Sequence, residues 1–328
     1  MRLPRFAYRA PKTVREAASI LSAEGPQAML VAGGTDLYPN MKRRHQMPKT
    51  LVALRRLDRL RGVRGSAPRG FTIGAATTLT DLEEHRALAR AWPGFHEAVH
   101  SISTPILRNM GTLGGNLCLD TRCNYYNQNY EWRRAINFCM KCEGDVCWVA
   151  PGSDTCLAVS SSDTAPMLCA MGARLHLVSA RGERTVEARE LYARDGIRYL
   201  TKAHDEILTA VDLPPAAGWR TAYRKLRRRE AFDFPVLGVA ACVRFDGEVV
   251  AEARLWLGAV AEAPLEASEA AKALVGSRFG DDAIETASRL AFPVAKPVDN
   301  TDFGVRWRKE MSRLMTRDAL RSLRAGDD

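Results

Sequence analysis

The chain has 328 residues, 46% of them hydrophobic and 26% charged, with a formal net charge of +10 at pH 7. A single core seldom serves much more than roughly 250 residues, so two or three domains are expected. No uncharged apolar run approaches membrane-spanning length and no apolar leader with a small-residue cleavage site opens the chain, which predicts a soluble, cytoplasmic protein without a membrane partner. Positive charge gathers in Arg224-Lys225-Leu226-Arg227-Arg228-Arg229 and between Arg306 and Arg324. Neither run carries interleaved stacking aromatics or matches a groove-reading motif, so nucleic acid is not expected, and solvated helix faces on an assembled subunit are.

In chain order, a short extended piece at Phe6-Ala7-Tyr8 precedes a helical pattern from Thr13 to Ala23, opened by the capping pair Thr13 and Glu16. Apolar runs at Ala28–Ala32 and Thr50–Leu54 read as strands, and a turn-rich piece leads to another at Phe71–Gly74. Helical periodicity covers Asp81–Arg90, Gly94–Ile102 and Ala165–Met171, with strands at Ala173–Val178 and Ile207–Val211. Pro214-Pro215 and Gly218 mark the best domain boundary. Strands Leu237–Phe245 and Val249–Leu257 follow, joined by the hairpin signal Asp246-Gly247. Helices are expected at Leu265–Leu274, Asp281–Leu290 and Phe303–Leu323. The stretch Leu119–Val159 fits neither period, yet its cysteines and aromatics argue against disorder.

Two glycine loops follow apolar segments. In Ala32-Gly33-Gly34-Thr35-Asp36, glycine lets main-chain N–H groups approach an anion and Thr35 adds a hydroxyl. This is not the G-x-G-x-x-G fingerprint, so a Rossmann site is not supported. Gly111-Thr112-Leu113-Gly114-Gly115-Asn116 supplies a second cradle, and two cradles suit a pyrophosphate held from both sides. Asn116 can donate from its amide, Asp163 can accept from ribose or ribityl hydroxyls, and Lys225 is a candidate cation near phosphate or flavin.

Eight cysteines in a reducing compartment argue for metal or cluster ligation over disulfides. Cys118, Cys169 and Cys242 read as small buried hydrophobes. The remaining five, Cys123, Cys139, Cys142, Cys147 and Cys156, are separated by fifteen, two, four and eight residues. Any four could bind a zinc ion or a cubane cluster, and Cys139-x2-Cys142 looks like a zinc-knuckle pair. His96-Glu97-Ala98-Val99-His100 matches the H-E-x-x-H zinc-protease pattern, but no third-ligand motif accompanies it and a chance match is preferred.

With these residues assembled, the chain resembles the flavin-binding medium subunit of the molybdenum hydroxylase family, the group that includes xanthine and carbon monoxide dehydrogenases. The resemblance runs through Leu30–Leu37, Ile73–Leu79, Arg108–Leu117 and Ser162–Pro166 in that order. It implies an α+β protein: a two-subdomain FAD-binding fold of the vanillyl-alcohol-oxidase-like (PCMH) type over 1–216, divided into 1–55 and 56–216, then a C-terminal domain of antiparallel sheet and helices over 217–328. By the same resemblance, FAD is held by Met29, Leu30, Val31, Ala32, Gly33, Gly34, Thr35 and Asp36, by Thr112, Gly114, Gly115 and Asn116, and by Asp163 and Lys225. Usual members join Gly-Gly-Asn to Ser-Asp by an ordinary loop. Here an insertion at 119–159 intervenes, as in the 4-hydroxybenzoyl-CoA reductase branch, whose flavin subunit binds an extra [4Fe-4S] cluster. That likeness implies Cys123, Cys139, Cys147 and Cys156 as ligands, with Cys142 left over. It further implies an oxidoreductase component without substrate-chemistry residues, partnered by a molybdenum-cofactor subunit and a [2Fe-2S] subunit and fed electrons by reduced ferredoxin. Another molybdenum hydroxylase that acquired the same insertion is the alternative, and a zinc-stabilised binding module is a distant third.

Overall fold

The computed structural model describes residues 2–324 and arranges them around three sheets. The first contains β1 (Ala7–Arg9), β2 (Ala28–Val31) and β3 (Thr50–Ala53) in the order β1-β3-β2, all parallel. Parallel strands need a crossover, and helix Val14–Glu24 provides it between β1 and β2. Thr13 Oγ1 accepts from the Glu16 N–H at 3.1 Å while the Glu16 carboxylate accepts from the Lys12 N–H at 2.7 Å, so the helix begins where the Thr-x-x-Glu spacing places it. Ala17, Ala18 and Leu21 on that helix bury against Ala28 and Val52.

The second sheet is antiparallel, with β4 (Val63–Ser66), β5 (Gly70–Gly74), β6 (Arg174–Ser179), β7 (Gly182–Glu187) and β8 (Ile207–Leu213) in the order β4-β5-β8-β6-β7. Between β5 and β6 the chain leaves the sheet for a group of short helices, the second glycine loop and the cysteine-rich insertion, returning through helix Thr164–Met171. Trp92 and Phe95 pack with Leu168 and Met171 in the core beneath this excursion. The helix expected over Asp81–Arg90 is two helices, Leu79–Glu83 and Arg86–Ala91. A capping box between Thr78 and Asp81 starts the first early, and His85 Nδ1 accepts from the Leu88 N–H at 3.1 Å to cap the second.

In the third sheet β9 (Trp219–Leu226), β10 (Leu237–Asp246), β11 (Val249–Gly258) and β12 (Leu265–Glu266) pair antiparallel in the order β12-β11-β10-β9. Gly247, at φ 59°, turns the β10–β11 hairpin. Alternation along β10 explains its continuous apolar run: Val239, Ala241 and Val243 face the C-terminal helices, whereas Ala240 and Cys242 join the core around helix Thr164–Met171.

Three further readings need correction. Leu265 and Glu266 pair with β11 instead of opening a helix, which is confined to Ser268–Lys272. The last helix spans Val305–Arg321. The basic runs are not simply solvated helix: Arg224, Lys225 and Leu226 lie in β9, and Arg308 is fully buried, donating to Val236 O, Val298 O and Ala259 O. These carbonyls satisfy a guanidinium that would otherwise be costly to bury. No helix among the described residues is long and apolar enough to cross a membrane.

Candidate functional site

The two glycine loops meet directly beyond β2. A Cβ at Gly33 would come within 1.8 Å of Met110 O, so only glycine allows the first loop to lie against the second. Gly34 takes φ 71° and its carbonyl accepts from the Tyr38 N–H at 3.1 Å, which starts helix Leu37–Lys42. The second loop is fixed from the other side: Leu113 N–H donates to Thr77 O at 3.1 Å and Gly114 N–H to Ala75 O at 2.8 Å. Thr112 Oγ1 accepts from the Gly115 N–H at 3.1 Å and caps the short helix Leu113–Leu117.

These loops wall a cavity of about 590 Å³, within the usual range for a small-molecule site. All of Met29–Asp36 line it, as do Thr112, Gly114, Gly115, Asn116 and Asp163. Asn116 Oδ1 accepts from Ser162 Oγ, Thr164 Oγ1 and the Thr164 N–H, at 2.7, 2.6 and 3.2 Å. It thereby ties the glycine loop to the Ser-Asp segment. Among the described residues its Nδ2 donates to no protein acceptor, so the amide remains free to donate into the cavity.

Lys225 does not line the cavity. It stands behind Asp163, donating to Asp163 Oδ2 at 3.0 Å and to Ser101 O at 2.9 Å, while Tyr223 Oη donates to Asp163 Oδ1 at 2.9 Å. Alternation along β9 turns the ammonium into the protein beside Tyr223, on the face that meets Asp163. Burial pushes the Asp163 carboxyl up and the Lys225 ammonium down, and their mutual attraction opposes both shifts. Lys225 therefore acts on the cavity through Asp163.

Several lining residues have no signature in sequence. Arg122 forms an ion pair with Asp36, donates to Asn40 Oδ1 at 3.3 Å and lies 4.5 Å from the Phe234 ring centroid. Among the described residues its Nε is buried without a partner, and burial pulls the guanidinium down to about 10. Phe232 and Phe234 are large exposed aromatics on the cavity wall. Cys118 also lines the cavity and is only partly buried, whereas Cys169 and Cys242 are buried as expected.

The H-E-x-x-H helix carries no metal constellation. His96 Nε2 lies 3.1 Å from Glu83 O and His100 Nδ1 lies 2.6 Å from Glu83 Oε1, while Glu97 accepts from the Tyr223 N–H at 2.7 Å. The motif joins neighbouring elements together. Among the described residues, no three His, Cys, Asp or Glu side chains converge closely enough for one metal ion.

At the base of the insertion, Arg122 and Val159 exchange main-chain hydrogen bonds of 2.8 and 2.7 Å. One short helix, Tyr130–Ala135, interrupts the irregular chain between them. Cys123, Cys139, Cys147 and Cys156 are buried and line a second, smaller cavity with Tyr126, Lys141 and Trp148. Cys142 is turned elsewhere, its Sγ accepting from Arg133 Nη1 at 2.7 Å. The Ala158 N–H donates to Cys156 Sγ at 3.4 Å, while the Tyr126 N–H donates to Cys123 O at 3.0 Å and the Cys142 N–H to Cys139 O at 2.8 Å, which turns the chain tightly behind both cysteines. Burial pushes the Cys123 thiol up to about 11 and Cys156 up to about 12, and facing thiols add to both. All eight cysteines are free. The cavities adjoin, since Arg122 lines the first and Cys123 the second.

Residues 4–216 match the FAD binding domain of molybdopterin dehydrogenases, and residues 221–323 match the CO dehydrogenase flavoprotein C-terminal domain. The chain belongs to the FAD-binding medium subunits of the molybdenum hydroxylase family. It is similar to the carbon monoxide dehydrogenase medium chain of Afipia carboxidovorans, 32% identical over 98% of this chain and 97% of the relative. The xanthine dehydrogenase FAD-binding subunit of Escherichia coli O157:H7 is 26% identical over 96% and 94%. A solved structure of carbon monoxide dehydrogenase from Hydrogenophaga pseudoflava superimposes with a TM-score of 0.81 at 28% identity, covering 98% of each chain. The family makes the chain an FAD-binding oxidoreductase subunit.

Proposed function

We propose that this medium subunit works beside a molybdenum-cofactor subunit and a [2Fe-2S] subunit as the flavin component of a hydroxylase of the carbon monoxide or xanthine dehydrogenase type, and that its insertion holds a [4Fe-4S] cluster through Cys123, Cys139, Cys147 and Cys156. The observation that carries this reading is the ring of four buried thiols around one cavity that shares a wall with the flavin cavity. Thiolates on a single zinc sit about 2.3 Å from it and so converge on a point. The four line one small cavity together, and the Ala158 N–H on Cys156 Sγ is a contact of the kind that tunes iron–sulfur centres.

Bound FAD and an adjoining cluster would supply reversible electron exchange, while the protein supplies binding, orientation and electrostatics. The glycine loops would hold bound FAD with their main chain, Asn116 would offer its amide to it, and Asp163 would present a carboxylate held by Lys225 and Tyr223. In this reading the substrate chemistry takes place on the molybdenum-cofactor subunit.

The insertion favours a second, narrower reading: a 4-hydroxybenzoyl-CoA reductase in which electrons enter from reduced ferredoxin at the cluster, pass to FAD and reach molybdenum for reductive removal of the hydroxyl. Iron, acid-labile sulfide and flavin analysis of anaerobically purified protein tests the cluster, and flavin without sulfide would reject it. Assay of the intact complex then separates the readings. Turnover of 4-hydroxybenzoyl-CoA with a strong reductant supports the reductase, and oxidation of carbon monoxide, xanthine or an aldehyde supports the first reading.

A further inference from the structure

The wall between the two cavities contains a buried ion pair. Lys141, in the insertion, and Asp120, at its base, each have side chains 6% exposed. Lys141 Nζ donates to Asp120 Oδ1 at 2.9 Å, Thr121 Oγ1 at 2.9 Å and Gly196 O at 2.6 Å, which uses all three ammonium protons and fixes the charge in space. It also lies 4.9 Å from the Tyr126 ring centroid and 5.4 Å from that of Tyr199. Lys141 and Tyr126 line the cysteine cavity, whereas Asp120 and Tyr199 line the flavin cavity. Tyr126 Oη closes the arrangement by donating to Asp120 Oδ2 at 3.3 Å.

We propose that Lys141 and Asp120 act as a positioning pair that tunes the reduction potential of the cysteine cavity, with Lys141 raising it as a fixed positive charge and Asp120 restraining that effect from the flavin side. The proposal rests on the cluster reading given above. A buried ion pair is weak evidence of stabilisation for its own sake, because desolvation offsets much of the attraction. Its place between two electron-exchanging centres gives it another use. When one electron passes from the flavin cavity to the cysteine cavity, no bond forms or breaks in the protein and one negative charge is gained beside Lys141. A fixed cation favours that gain, and the field is little screened in a buried wall.

The test uses the intact complex with Lys141→Met, which removes the charge at similar length, Lys141→Arg, which keeps it, and Asp120→Asn, which leaves Lys141 uncompensated. Iron, sulfide and flavin contents are measured first, and the cluster midpoint potential is then read by redox titration with electron paramagnetic resonance. Lys141→Met is expected to lower the midpoint by at least about 59 mV, a tenfold change in a one-electron equilibrium. Asp120→Asn is expected to raise it, and Lys141→Arg to restore most of the wild-type value. Loaded variants with unmoved potentials, or with shifts of the same sign in Lys141→Met and Asp120→Asn, overturn the proposal alone. Should Lys141→Met fail to load, Asp120→Asn decides, and a midpoint that does not rise overturns it. Wild-type protein holding flavin but neither iron nor sulfide overturns the cluster reading and this proposal with it.

Discussion

The flavin cavity is walled by main chain that regular structure already holds: β2 feeds one glycine loop, β5 and its following turn anchor the other, and the two touch at Gly33 and Met110. The cysteine cavity next to it is walled by irregular chain whose one short helix and scattered side-chain hydrogen bonds leave four thiols facing each other. The first cavity is therefore framed by hydrogen-bonded main chain, while the second gathers groups that repel one another once deprotonated and should depend on what it binds.

That contrast can be broken most sharply at the thiols. Ser substitution of Cys123, Cys139, Cys147 or Cys156 is expected to abolish iron and sulfide binding while FAD stays near wild-type content. Cys142→Ser is expected to retain the cluster, because its Sγ is engaged with Arg133. Loss of iron from Cys142→Ser but not Cys147→Ser would reverse the ligand assignment. Stripping the metal from wild type should likewise make the segment between 123 and 158 the first site of limited proteolysis, with flavin absorbance retained. Cleavage elsewhere first would show the two cavities to be equally dependent on their ligands.

Smaller effects sharpen the flavin side. Lys225→Met leaves Asp163 buried without its cation and should destabilise the protein by about 3–5 kcal/mol in denaturant titration, with lowered flavin occupancy. Gly33→Ala forces the loops apart and is expected to cost about 1–3 kcal/mol. An unchanged flavin affinity in both variants would mean that the cavity tolerates movement of its main chain, contrary to the contrast drawn here.

Sequence legibility followed the same division. The Thr13–Glu16 cap, the apolar runs of β2 and β3 and the Asp246-Gly247 hairpin are local features, and each appears where local spacing placed it. Glycine loops were readable because close main-chain approach leaves a residue-type signature. The partner of Lys225 was not legible, because only the pairing of β9 with β10 shows that its side chain reaches Asp163. The roles of Arg122, Lys141 and Asp120 were invisible for a related reason: they arise from contacts across folded segments, and a single charged residue in a loop carries no period. Among the cysteines, spacing alone left five candidates. Resemblance proposed four, and the same four surround the cavity.

The Arg122–Val159 bridge has a consequence for how such a protein could arise. Because the two ends of the inserted stretch are hydrogen-bonded neighbours, everything from Cys123 to Ala158 can be removed and replaced by a tight turn without re-routing either flanking segment. A flavin-only ancestor could gain, or a descendant lose, a redox module in one genetic step. The trace of a loss would be an Asp120 stranded without its cation.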